Sequence, residues 1–135
     1  VYDVLEKNHG KVIYFDFWAR WCPPCLTEME PLKQLRSKFS TNDLIIYSIC
    51  VSEPKEQWEE CLNEYSLKNC GIECVHVTDY LGIDNYQKIR KQWKIDRIPY
   101  YILINRKGQI IDFGATARPS NPQLVSRIED AVNSK

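Results

Sequence analysis

The chain has 135 residues, the size of one domain, and 44% of them are hydrophobic, enough for a core that needs no staple. Lysine plus arginine balances aspartate plus glutamate at 18 each, which argues against nucleic acid or an anionic membrane as partner. No apolar run nears the ~20 residues of a transmembrane helix and nothing reads as a signal peptide; the start at Val1 rather than Met leads us to expect a processed or excised piece.

Val1 to Gly10 shows no clear strand pattern. Val12 to Trp18 (VIYFDFW) is β-branched and aromatic and predicts a buried strand, interrupted only by Asp16. From Pro23, the residues Cys25, Met29, Leu32, Leu35 and Phe39 are spaced for one face of one helix. Leu44 to Val51 (LIIYSICV) is a near-continuous apolar run, as a central parallel strand covered on both faces requires. Trp58, Cys61, Leu62 and Tyr65 predict a second helix, with Ser52 as its N-cap, and Cys74 to Val77 a short strand. Tyr86, Ile89 and Trp93 predict a third helix. Tyr100 to Asn105 and Gln109 to Phe113 predict two strands joined by the turn NRKG. The loop TARPSNP punctuates the chain before a last helix marked by Leu124, Ile128 and Val132. Strands alternating with helices, then a hairpin and a helix, predict an α/β domain over residues 1–135, with a mixed central sheet and helices on both faces.

Cys22 and Cys25 flank two prolines at the start of the first long helix. Proline suits the first helical turn, whose N–H groups have no intrahelical partner. Cys22 is therefore expected at the helix N-terminus, where the dipole favours a thiolate, with Cys25 one turn in and shielded. One reachable and one shielded sulfur is the asymmetry that thiol–disulfide exchange requires. Two other readings stand beside this one. Cys70 and Cys74 could complete a zinc site, but their spacing fits no common zinc ribbon. A purely structural disulfide at a helix start would be strained and reducible.

The segment FWARWCPPC, with Ile98-Pro99 ahead of a strand and PYYILINRKGQIIDFGA after it, resembles the thioredoxin fold over nearly the whole chain. The segment from about Glu53 to Gly82 exceeds the thioredoxin minimum, and an extra helix and strand there resemble the TlpA/ResA-like branch. Tryparedoxins share WCPPC and are a weaker match. The resemblance implies a thioredoxin-like fold, a cis-proline at Pro99 and no cofactor. It also implies protein disulfide substrates, an upstream thiol reductant and a periplasmic or otherwise extracytoplasmic site, with membrane tethering through a segment preceding this chain. Those families place a proline five residues after the second cysteine; here Pro31 is six after, which displaces the expected helix kink by one residue.

Asp16 sits six residues before Cys22, where thioredoxins carry an aspartate. It is either a satisfied structural acid or a proton acceptor for Cys25 with a pKa raised by desolvation. Glu28 is its rival. At ~100° per residue from Cys25 it falls near ~300°, inside the apolar stripe of Met29 and Leu32, and ResA-like proteins use a glutamate at this offset. Trp21, Ile98, Pro99, Gly114 and Ala115 are candidates for a substrate groove, and the backbone of Ile98-Pro99 could pair with an extended substrate strand. Cys50 and Cys61 read as small buried hydrophobes; Cys70 and Cys74 could form a disulfide, and sequence does not choose among pairings. The expected function is disulfide reduction or isomerisation through Cys22 and Cys25. The alternatives are a thiol peroxidase of the peroxiredoxin-related type and a redox-inactive or zinc-binding interaction module.

Overall fold

The computed structural model describes residues 2–51, 54–77, 87–88, 90–92 and 94–134. Five strands form one mixed sheet: β1 (Val12–Trp18), β2 (Leu44–Cys50), β3 (Glu73–His76), β4 (Tyr100–Ile104) and β5 (Ile110–Phe113), in the order β3-β2-β1-β4-β5. β1 and β2, and β2 and β3, run parallel; β4 is antiparallel to β1 and to β5. The helices are α1 (Tyr2–Lys7), α2 (Pro23–Thr27), α3 (Met29–Ser37), α4 (Lys55–Glu64) and α5 (Pro122–Asn133), with a 3-10 turn at Gly114–Ala117. α1 occupies the N-terminal stretch that lacked a strand pattern.

Alternation along β1 divides the core in two. Val12, Tyr14 and Trp18 join Cys25, Met29, Leu32 and Leu35 of α2 and α3, Cys61 and Leu62 of α4, and Leu124 and Ile128 of α5. Ile13, Phe15 and Phe17 face the other way, with Ile49, Ile102 and Ile104, and Leu5 of α1 packs against them. Both faces of β1 are thus covered, which explains its lack of polar alternation. Each fully buried large side chain of this kind contributes about 1.5–3 kcal/mol of transfer free energy. Asp16 shares the parity of Tyr14 and Trp18, so the strand directs it to the face that carries α2.

The single helix expected from Pro23 to Phe39 is two helices. Pro31 has no N–H for the Thr27 carbonyl and its ring crowds that oxygen, so the α-helical ladder cannot run through Glu28. Glu28 is the junction: its N–H meets the Cys25 carbonyl at 3.2 Å and its own carbonyl accepts from Leu32 at 2.9 Å. α4 begins after Pro54, its N-cap residue; Ser52 lies outside the described residues. So do Tyr86, Ile89 and Trp93, although residues 87–88 and 90–92 are helical. The hairpin turn closes as expected, with Asn105 Oδ1 accepting from the N–H groups of Lys107 and Gln109 and Gly108 at φ 79°. Arg106, on that turn, donates to the carbonyls of Gly10 and Val132 and pairs with Asp43, tying both ends of the domain to the hairpin. Among the described residues no helix is long and apolar enough to cross a membrane.

Candidate active site

Cys22 and Cys25 are joined in a disulfide at the start of α2. Cys22 is the N-cap residue, Pro23 and Pro24 fill the first two helical positions, and the first backbone donor is the N–H of Cys25, 3.3 Å from the Cys22 sulfur. That N–H also meets the Cys22 carbonyl at 3.0 Å. The expected contrast in accessibility is small in this oxidised state: Cys22 is 5% exposed and Cys25 1%. Cys22 is thus less exposed than a helix-entry position implies.

Asp16 is 3% exposed and accepts a hydrogen bond from the Ser48 hydroxyl at 3.2 Å. Burial pushes its pKa up to about 7; the Ser48 bond opposes the rise and the charge of Glu28 adds to it. The rival carboxyl at Glu28 thus acts on Asp16. Tyr101, register partner of Asp16 on β4, is also buried, and its hydroxyl is held well above the usual phenol range by burial and then by Asp16.

Glu28 is half-buried, and both its oxygens are engaged by one residue. The Ser120 N–H reaches Oε1 at 2.8 Å and the Ser120 hydroxyl reaches Oε2 at 2.7 Å. The loop before α5 thereby locks the helix junction behind the cysteines.

A groove of about 500 Å³ runs beside the pair. Pro24, Glu28, Ile98, Pro99, Gly114 and Ala115 line it, so four of the five expected groove residues come together with a residue of the CPPC turn. The Ile98–Pro99 peptide is cis. Trp21 is 63% exposed but lines a neighbouring cavity with Val51 and Arg97; Ile98 is shared by the two. Phe113, 60% exposed, and Arg118 also line the groove, and sequence reasoning missed both. Phe113 was legible only as a strand residue, and Arg118 and Ser120 lie in a loop read as punctuation. Cys70 and Cys74 are free thiols, not a disulfide, and Cys50 and Cys61 are buried as expected. Among the described residues no group of three or more histidine, cysteine and acidic side chains is placed to hold a metal ion.

A family model described as Redoxin matches residues 2–132. Thiol-disulfide oxidoreductase ResA of Bacillus thuringiensis is 26% identical over 108 residues, covering 80% of this chain and 57% of its own length. The chain thus spans little more than half of that curated relative. A solution structure from Bacteroides vulgatus, named as a candidate thiol-disulfide oxidoreductase, is 34% identical, with a TM-score of 0.67 over 93% of this chain and 76% of that one. The thioredoxin domain of a thiol-disulfide oxidoreductase from the same organism superposes with a TM-score of 0.78 at 23% identity, over 96% of this chain and 84% of that one. That likeness shows the thioredoxin-like fold.

Proposed function

The chain belongs to the redoxin family, and from that premise we propose that it is a thiol–disulfide oxidoreductase acting on protein disulfides, with residues 1–135 as one thioredoxin-like domain. The observation that carries this reading is the Cys22–Cys25 disulfide at a helix start, beside a groove lined by Pro24, Ile98 and Pro99. The reduced Cys22 thiolate attacks one sulfur of a substrate disulfide, and the other substrate sulfur leaves as a thiolate that takes a proton. Asp16, whose pKa near 7 suits a base at neutral pH, accepts the Cys25 proton. The Cys25 thiolate then attacks the Cys22 sulfur, releases the second substrate thiol and leaves the disulfide state seen here. Glu28 raises the Asp16 pKa and holds the junction after Cys25. Ile98, Pro99, Gly114 and Ala115 present backbone and apolar surface to an extended segment, with Trp21 at its edge.

The likeness to ResA supports reductive or isomerising work outside the cytoplasm, in the periplasm or an equivalent compartment, by a chain tethered through a preceding segment and recharged by an upstream thiol reductant. Reduction of a model protein disulfide by a small dithiol, with and without the protein, tests the activity. Acceleration is expected, lost in Cys22→Ser, whereas Cys25→Ser accumulates mixed disulfides. Full turnover by Cys22→Ser would sink the mechanism, and consumption of peroxide faster than of protein disulfide would place the chain with the peroxidases instead.

A further inference from the structure

Four cysteines lie outside the CPPC turn, and the fold treats them in two ways. Cys50 on β2 and Cys61 on α4 are fully buried in the core. Cys70 and Cys74 are half-exposed, at the end of the α4–β3 connection and on the edge strand β3. That connection is tightly wound: Ser66, Asn69 and Gly71 have φ of 55°, 62° and 85°. At Gly71 the absence of a side chain also leaves room for Arg36, whose Cδ would stand 3.3 Å from an added Cβ. The winding brings both sulfurs to one acceptor. Cys70 Sγ lies 3.0 Å from the Leu67 carbonyl oxygen and Cys74 Sγ lies 3.6 Å from the same oxygen. The shared acceptor places the two sulfurs near one another.

We infer that Cys70 and Cys74 are a second redox-active dithiol, which closes to a loop disulfide by exchange with a small disulfide of the glutathione class. The pair is asymmetric. Burial pushes the Cys74 thiol up to about 12; Cys70, Asp16 and Glu73 add to the rise and Lys68 opposes it. Cys70 is therefore the attacking thiol. Its thiolate displaces one half of the small disulfide as a thiolate and forms a mixed disulfide. With the charge of Cys70 gone, Cys74 loses a proton to solvent, attacks the Cys70 sulfur and expels the second half. Two protein thiols are oxidised, and one small disulfide is reduced to two thiols. The closed ring would clamp the wound loop to β3, which among the described residues is an edge strand paired with β2.

This inference does not rest on the activity proposed for Cys22 and Cys25, so its test removes them. The Cys22→Ser/Cys25→Ser chain is equilibrated with glutathione disulfide, its remaining thiols are alkylated, and it is cleaved after glutamate. Glu73 lies between the two cysteines, so cleavage there separates them unless a disulfide holds the fragments together. Linked fragments that part on reduction are expected. Cys74→Ser, in the same background, should retain glutathione on Cys70, and Cys70→Ser should retain about tenfold less on Cys74. Alkylation of both thiols, a lasting glutathione adduct on Cys70 beside a free Cys74, or a link to Cys50 or Cys61 would each overturn the inference. Running the wild-type chain with Cys22–Cys25 already oxidised gives the same readout in the unaltered fold.

Discussion

The Ser48 hydroxyl donates to the buried Asp16 carboxylate at 3.2 Å, between register partners on adjacent parallel strands. The row continues in both directions, with Tyr101 opposite Asp16 on β4 and Cys74 opposite Ser48 on β3. Four neighbouring strands thus carry one polar row beneath the helices of the CPPC face. It is the one interruption in an otherwise apolar β1, and it places a carboxyl titrating near 7 within that face.

The raised pKa makes stability depend on pH in a definite direction. Asp16 moves from 3.8 to about 7 on folding, so between those values the native state holds a proton that the unfolded chain has lost. Its contribution is fully present below about 4 and disappears as pH rises through about 7. A shift of this size corresponds to something on the order of 4 kcal/mol. Asp16→Asn should flatten that part of the profile and be the more stable protein at pH 8. Urea denaturation from pH 4 to 8 checks this; parallel profiles for the two chains would show that Asp16 is not buried with its proton.

Ser48→Ala removes the one contact that lowers the Asp16 pKa. A net hydrogen bond of about 1 kcal/mol corresponds to a little under one pKa unit, so the Asp16 titration should move upward by roughly that much. Carboxyl-carbon NMR titration reads it directly. A midpoint that stays in place would mean that the hydroxyl does not bond the ionised form.

Much of this was legible in the sequence because apolar pattern and special residues encode it. The run LIIYSICV has no polar face and became the inner strand β2, and the prolines of CPPC put Cys22 at a helix start. The one kinked helix expected from Pro23 to Phe39 is two helices, a difference that periodicity does not register, because Met29, Leu32 and Leu35 keep their common face across a break in the hydrogen-bond ladder at Glu28. Ser120 and Ser48 left no signal. Each acts on a residue distant in sequence, across 92 positions for Glu28 and 32 for Asp16, through a hydroxyl that composition alone cannot aim.

Glu28 and Ser120 should prove coupled. Both carboxylate oxygens accept from one residue, so Glu28→Gln loses an acceptor and turns an amide toward a donor. A double-mutant cycle with Ser120→Ala should give a coupling of about 1 kcal/mol, discounted for the exposure of the pair. Rapid-mixing kinetics then separates the two acids. Asp16→Asn should slow resolution more than attack, and Glu28→Gln should affect resolution less than Asp16→Asn does. Wild-type resolution in Asp16→Asn would move the proton-transfer role to Glu28.

The redox poise follows from what surrounds Cys22. A thiolate at a helix N-terminus is held by the dipole and by first-turn N–H groups. Here Pro23 and Pro24 offer none, the N–H of Cys25 at 3.3 Å is the first available, and α2 ends after five residues, so its dipole is small. No histidine stands between the cysteines to add positive charge. The reduced form is therefore stabilised less than in the strongly oxidising members of the fold, and a less stabilised thiolate means a more reducing potential. The Cys22–Cys25 couple should lie nearer the thioredoxin value of about −270 mV than the oxidants' value of about −120 mV. Pro24→His adds both a donor and a charge and should raise the potential by tens of millivolts, roughly 30 mV for each tenfold change in the equilibrium constant. Equilibration with glutathione measures both chains. A wild-type potential above about −150 mV, or one that Pro24→His leaves unmoved, would show that the two prolines do not set it.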